Sequence, residues 1–90
     1  MEPSTQKFHS LDLLPRGCRA LLVAIEPVRE FGLQDAQVGL RLKELGFVPG
    51  VELEVIGHGF FGADPIAVKI GDTKFALRRP EAQKLLVKPL

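Results

Sequence analysis

Apolar and polar residues alternate along much of the chain, which is the pattern of β-strands with one buried face. The alternation is clearest in the second half, where Val, Leu, Ile or Phe recurs at every second position within three separate stretches. Branched and aromatic residues of this kind also favour strands over helices. The pattern predicts five short strands, over residues 19–25, 51–55, 66–70, 74–78 and 85–87.

One helix is predicted after the first of these strands. Asp35 is expected to cap its N-terminus, because a carboxylate can accept hydrogen bonds from the free amides of the first turn. Gly46 is expected to end it in the left-handed conformation. Gly39 inside the helix costs about 1 kcal/mol relative to Ala, which suggests that another group packs closely against it. Apolar residues at helical spacing form the predicted core stripe: Val38, Leu42 and Leu45.

Glycine and proline mark the connections between the elements. Gly71-Asp72 lies between two predicted strands and is typical of a tight hairpin turn. A wider glycine-rich loop is expected over residues 57–64. Pro80 fits the first position of a short helical turn before the last strand.

The remaining N-terminal segment completes the predicted domain organisation. The first residues are mostly polar, so we expect residues 1–9 to form a flexible tail. Residues 10–90 are expected to form a single domain, because a chain of this length has room for only one. At the start of this domain, residues 9–14 are expected to form one helical turn capped by Ser10.

Five short strands cover their apolar faces only by curling into a small barrel, because a flat sheet leaves one face and two edges uncovered. The predicted fold is therefore mainly β. We expect a small SH3-like β-barrel of about five strands, with one inserted α-helix and a short helical turn before the last strand.

Composition narrows the class of protein. The chain has 90 residues and a formal net charge of +1, with both signs interspersed, whereas nucleic-acid binders are usually strongly basic, so no nucleic-acid partner is expected. Cys18 is the only cysteine, which excludes an internal disulfide and fits a reducing compartment. No apolar run reaches the roughly 18 residues of a membrane span, and no secretory signal is visible. We expect a cytoplasmic protein that meets a membrane only through a partner.

The sequence offers little catalytic chemistry. It contains no phosphate-binding loop, dinucleotide fingerprint or nucleophile turn, and Glu52 and Glu54 fit a solvated strand face better than an acid–base pair. His9 is interpreted as a surface residue, and His58 with Asp64 falls short of the three or four ligands that zinc sites use. We therefore expect no enzyme activity, and we assign no cofactor and no metal ligands.

Some apolar residues lie outside the core pattern. Leu40 falls on the helix side shared with charged residues, and the adjacent Phe60 and Phe61 cannot both point the same way in an extended loop. Leu40 is either a lone surface leucine or a contact residue, and the Phe pair either caps one end of the barrel or contacts a partner. Arg41 either bridges the helix to the barrel or contacts the partner directly. With Lys43, these five residues form the predicted partner-binding set.

Several short motifs follow one another in a fixed order over residues 11–88. They are Leu11-x-x-Leu14 with Gly17, Arg41-Leu42, Leu45-Gly46-Phe47, Pro49-Gly50, Asp64-Pro65-Ile66, Leu77-Arg78-Arg79, Glu81-Ala82 and Leu85-x-Val87. In this order and spacing the chain resembles the FeoA family, small cytosolic accessory proteins of bacterial ferrous iron uptake.

The resemblance implies an SH3-like barrel that binds the large ferrous iron permease, which carries a cytoplasmic G-protein domain, and modulates uptake. An alternative is a standalone interaction module acting on an iron-dependent transcription regulator or another signalling protein. The same fold forms the C-terminal domain of iron-dependent repressors, where it serves as an interaction module. We expect no DNA-binding region ahead of the barrel, which argues against a repressor. A direct metal carrier is a third hypothesis. Exposed strand edges and spare apolar residues also allow weak self-association.

Overall fold

Six antiparallel strands form one sheet in the computed structural model, which describes residues 8–61 and 64–90. They are β1 (His9–Ser10), β2 (Arg19–Ile25), β3 (Glu52–Phe61), β4 (Asp64–Ile70), β5 (Thr73–Leu77) and β6 (Leu85–Pro89), in the spatial order β1-β6-β2-β3-β4-β5. Two α-helices, α1 (Asp35–Leu45) and α2 (Arg79–Gln83), and two 3-10 segments, Leu11–Leu13 and Arg29–Gln34, complete the described elements. The mainly β fold with a helix after the first long strand and a short helix before the last strand is confirmed.

The N-terminal segment differs in detail from its prediction. Most of the predicted tail lies outside the described residues, and the tail stays a prediction. His9 and Ser10 pair with β6 as a short extra strand, and the helical turn is a 3-10 turn over Leu11–Leu13. The Ser10 hydroxyl donates to Asp12 Oδ1 at 2.6 Å and does not cap the turn.

The glycine-rich loop predicted over residues 57–64 was placed wrongly, because β3 continues to Phe61 and β4 begins at Asp64. Gly57 pairs with Ala67 in β4. The pairing register between β3 and β4 shifts twice, between Val55 and Gly57 and between His58 and Phe61. Gly59 lies so close to Asp64 and Pro65 that only a residue without a side chain fits. The glycines therefore lie at bulges in the pairing of β3 with β4, where the absence of a side chain allows the two strands to approach closely.

Helix α1 ends at the predicted Gly46 and begins one residue earlier than expected, at Asp35, but it does not have the predicted stripe. Leu42 is buried, Val38 is half-buried, and Leu45 is 46% exposed, so Leu45 was wrongly placed in the core. The reason lies just beyond the helix, where Gly46 turns the chain with a φ of 113° and Phe47 becomes fully buried. The Phe47 ring packs against Phe75 with centroids 5.0 Å apart, so the core residue at this end of the helix is Phe47 and not Leu45.

The second hairpin and α2 follow their turn residues. Gly71 takes a φ of +58° in the predicted hairpin between β4 and β5. Helix α2 begins one residue earlier than expected, so Pro80 is its second residue, and the Arg78 N–H donates to Glu81 Oε1 at 2.8 Å. The Arg79 N–H donates to Asp64 Oδ1 at 2.8 Å, which ties α2 to the start of β4.

Side chains from the sheet, α1 and α2 meet in one apolar core. Its members include Leu11, Leu22, Leu42, Phe47, Leu53, Val55, Ile66, Val68, Leu77, Leu85 and Val87. Lys84 is a charged residue buried beside this core, with 1% of its surface exposed. No helix in the described ranges is both long enough and apolar enough to cross a membrane.

Candidate functional site

An open groove of about 560 Å³ runs between α1 and the end of β2. One wall is the face of α1 that carries Ala36, Gly39 and Leu40, and the opposite wall includes Ala24 and Ile25. Most of this lining is aliphatic, and the volume falls within the range of about 300–1,000 Å³ that is usual for ligand pockets. The groove is therefore large enough for several side chains of a bound segment.

The floor of the groove contains an ion pair between a buried lysine and a half-buried aspartate. Lys84 Nζ lies 2.6 Å from Asp35 Oδ1, with 2% of the lysine side chain and 22% of the aspartate side chain exposed. The Phe31 ring is 5.8 Å from Nζ, within the range of a cation–π contact. A buried lysine is rarely found without such partners, because desolvation of its charge is costly.

Asp35 joins three parts of the chain. Besides the bond from Lys84, its Oδ1 accepts a hydrogen bond from the Val28 N–H at 2.8 Å. The hydrogen bond from Lys84, followed by that from Val28, lowers the pKa of the Asp35 carboxyl below its usual value of 3.8. The carboxylate was predicted to cap its own helix, and that prediction is wrong because the oxygen is bonded elsewhere.

Main-chain pairing places Lys84 beneath α1. Lys84 lies between α2 and β6, and its carbonyl accepts from the Glu26 N–H at 2.6 Å, just past the end of β2. This bond fixes the backbone of Lys84 at the base of the groove. Its side chain then runs past Gly39, where a Cβ would lie 3.5 Å from Lys84 Cε. The close neighbour predicted for Gly39 is thus Lys84, together with Ile25.

The structure brings together part of the predicted partner-binding set. Leu40 is 56% exposed and lines the groove with Lys43. Arg41 is exposed, and its predicted bridge to the barrel is not seen among residues 8–61 and 64–90. Phe60 and Phe61 belong to β3, and their side chains lie outside the described part of the structure.

Sequence reasoning missed Asp35 and Lys84 as site residues. Lys84 directly precedes the apolar residues Leu85, Leu86 and Val87, and this position in the sequence is the signal that could have indicated it. Asp35 had no such signal, because an aspartate at the start of a helix is already explained by N-capping.

The other polar side chains that were considered for chemistry remain dispersed. His58 is exposed and Cys18 is half-buried. Within the described ranges, no three His, Cys, Asp or Glu side chains are grouped so that they could hold a metal ion. The chemistry available in the groove is apolar contact beside one buried ammonium.

Comparison with known proteins agrees with the fold and with the motif order. The FeoA domain model matches residues 9–89. The crystal structure of FeoA from Stenotrophomonas maltophilia, complexed with zinc and described as an SH3 domain protein, is 35% identical, with 88% of each chain covered and a TM-score of 0.73. FeoA from Chlorobium tepidum is 29% identical, covers 91% of this chain and 70% of its own, and has a TM-score of 0.74.

A manganese-dependent transcriptional repressor is also similar in fold. At 21% identity and a TM-score of 0.76 it covers 94% of this chain, which matches 43% of the repressor. A comparison with curated proteins gives no match. The family model, which spans nearly all of the sequence, and the relative at 35% identity together establish that this chain belongs to the FeoA family, whose members are SH3-like accessory domains of iron transport.

Proposed function

We propose that this protein is a cytoplasmic accessory protein that binds the cytoplasmic, G-protein-containing region of a ferrous iron permease and modulates iron uptake. Membership of the FeoA family supports the link to iron transport. The observation that carries the proposed docking is the open aliphatic groove between α1 and β2, with Leu40 more than half exposed on its wall.

Leu40 is the proposed centre of the contact. An exposed leucine beside a groove with aliphatic walls can be buried when a partner docks, and full burial of a leucine side chain is worth about 1.5–3 kcal/mol. Lys43 lines the same groove and supplies a charge at its rim. Arg41 follows Leu40 and is exposed, so it remains a proposed contact, as do Phe60 and Phe61.

The test is binding of the purified protein to the cytoplasmic region of the permease, measured in each nucleotide state. Leu40→Glu should weaken binding by about tenfold or more, because a charge in an apolar contact loses hydration that the partner does not replace. Leu13→Glu is the matched control, since Leu13 is 66% exposed and does not line the groove. Melting temperatures show whether both variants remain folded.

Two outcomes contradict the proposal. Absence of binding by the wild type in every nucleotide state contradicts the permease as partner. Equal loss of binding in Leu40→Glu and Leu13→Glu contradicts the groove as the contact. A permease gene beside the gene of this protein supports the proposal, whereas a regulator gene in that place favours the alternative of a standalone module.

A further inference from the structure

Strand β5 forms an open edge of the sheet. Among the described residues it is the last strand in the spatial order, with β4 on one side only. The opposite edge of the sheet is β1, which has just two residues. The longer edge, Thr73–Leu77, presents main-chain N–H and C=O groups with which another strand can pair.

The pairing of β5 with β4 determines which of these groups face outward. Ile70 pairs with Thr73 across the two-residue turn, and the closing pair of such a hairpin is hydrogen-bonded. Hydrogen-bonded and non-hydrogen-bonded pairs then alternate along the two strands. Lys74 and Ala76 fall at the non-hydrogen-bonded positions, so their N–H and C=O groups point away from β4. Both residues are exposed.

These outward groups fit the same groups of a second copy of the chain. When two copies of β5 pair antiparallel with Phe75 at the centre, Lys74 of each copy lies opposite Ala76 of the other. Each such pair exchanges two N–H···O bonds, so this register gives about four main-chain hydrogen bonds. All the outward groups of Lys74 and Ala76 are then paired within the strands.

Charge selects the same register. Asp72 directly precedes β5 and Arg78 directly follows it, and both are exposed. With Phe75 at the centre, Asp72 of each copy lies opposite Arg78 of the other, so opposite charges meet at both ends. Moving the centre by one residue places Lys74 opposite either Lys74 or Arg78. Like charges directly opposite each other destabilise a strand pair, so both shifted registers are disfavoured.

The residue at the centre adds an apolar contact. Phe75 is half-buried, and its ring packs on Phe47 with centroids 5.0 Å apart. In the paired strands the two copies of Phe75 occupy a non-hydrogen-bonded position, where side chains on facing strands approach most closely. Aromatic pairs at such positions stabilise a sheet. The edge is therefore complementary to itself in main chain, charge and side chain.

We propose that β5 is a self-association edge, at which two copies of this protein join their sheets antiparallel about Phe75, with Asp72 of each copy paired with Arg78 of the other. The contact is one short strand on each side, and interfaces of less than about 1,200 Å² are typical of weak association. A dissociation constant of roughly 0.1–1 mM is expected. The residues that line the groove between α1 and β2 all lie outside this edge, so the inference does not depend on the proposed function.

The first experiment measures association of the purified protein by sedimentation equilibrium from about 0.05 to 2 mM, over which the wild type should pass from monomer to dimer. Amide hydrogen exchange, followed by NMR at both ends of this range, identifies the contact. The N–H groups of Lys74 and Ala76 should exchange more slowly at high concentration. Those of Thr73 and Phe75 bond to β4, so they should already be protected at low concentration.

Charge reversal tests the register. Asp72→Lys places two cations opposite each other at both ends and should weaken dimerisation by about tenfold. Arg78→Glu should have a similar effect. The double variant Asp72→Lys, Arg78→Glu should restore the affinity to within about threefold of the wild type, because opposite charges meet again. Glu30→Lys is the matched control, since it changes the net charge equally and lies in the exposed segment Arg29–Gln34, which packs on α1.

Ala76→Pro tests the edge itself. Proline removes an N–H that faces away from β4, so the pairing with β4 is kept while pairing with a second copy is blocked. The variant should stay monomeric at about 2 mM, and its melting temperature shows whether it remains folded. If it does not fold, the charge variants decide the question.

Three results overturn the inference. The first is a wild type that stays monomeric at about 2 mM, including one whose Lys74 and Ala76 amides become protected only when the cytoplasmic region of the permease is added. The second is a dimer in which these two amides exchange as fast as in the monomer, which places the contact elsewhere. The third is a double charge variant that dimerises as weakly as the single variants. Failure of the wild type to bind the permease leaves each of these measurements unchanged.

Discussion

Leu42 and Leu45 lie on the same helix, and truncating each to alanine tests how α1 sits on the sheet. Leu42 is 2% exposed and Leu45 is 46% exposed. The truncation removes three carbon groups, each worth about 0.8 kcal/mol when fully buried, so the transfer loss at Leu42 is about 2.4 kcal/mol. The cavity left in the core raises the expected loss for Leu42→Ala to about 3–4 kcal/mol.

Leu45→Ala should be much milder. A little over half of this side chain is buried, so the transfer loss is about 1 kcal/mol, and solvent fills the space without leaving a cavity. Urea unfolding followed by circular dichroism measures both free energies of unfolding. At roughly 4–8 °C per kcal/mol for a domain of this size, the melting temperature should fall by roughly 12–30 °C for Leu42→Ala and by roughly 4–8 °C for Leu45→Ala.

Losses that agree within about 1 kcal/mol would refute this reasoning, given errors of 10–15% or so in extrapolated free energies. They would mean that Leu45 faces the core, as its helical spacing predicts, and that α1 is rotated about its axis. The wall of the groove that carries Gly39 and Leu40 would then face elsewhere.

Three further predictions concern the backbone and the buried pair. Gly59→Ala should destabilise the fold by about 1–3 kcal/mol or more, since its Cβ would lie 2.7 Å from Pro65 Cδ, and Gly57→Ala should be nearly neutral; thermal unfolding of the two variants compares them directly. The lowered pKa of Asp35 means that its stabilising effect is complete above the unfolded value of 3.8 and is lost as the pH falls through the folded value; melting temperatures from pH 6 down to pH 2 should therefore fall less steeply in Asp35→Asn than in the wild type. Asp35→Ala should lower the melting temperature more than Lys84→Met, because it leaves a 2% exposed ammonium without its partner, whereas the carboxylate left by Lys84→Met is 22% exposed; an equal or reversed order would contradict this account of the pair.

Much of the fold could be predicted because its signals are local. The bounds of α1 follow from a polar start and a glycine end, and β2 follows from a run of apolar residues closed by Pro27. The hairpin at Gly71 follows from its turn residues. Each of these signals acts within a few residues, so the local sequence is enough to predict the element.

Predictions that failed depended on distant contacts. Gly57 and Gly59 were expected in a loop because glycine disfavours strands, but pairing with β4 overrides that preference. Leu45 was assigned to the core from helical spacing, yet it is 46% exposed, and the fully buried residue at this end of the helix is Phe47. Periodicity indicates which residues share a face of a helix, but not how that face is turned relative to the core.

The sequence by itself determined the strand periods, the bounds of the helix, the family motifs and the exposure of Leu40. The groove was decided only by the tertiary structure, because the residues at its floor, Asp35 and Lys84, are 49 positions apart in the chain. A lysine becomes a buried partner of an aspartate only when β2 and β6 pair and α1 packs over them. Local pattern gives each residue its secondary structure, whereas burial and charge pairing arise from the packing of elements that are distant in sequence.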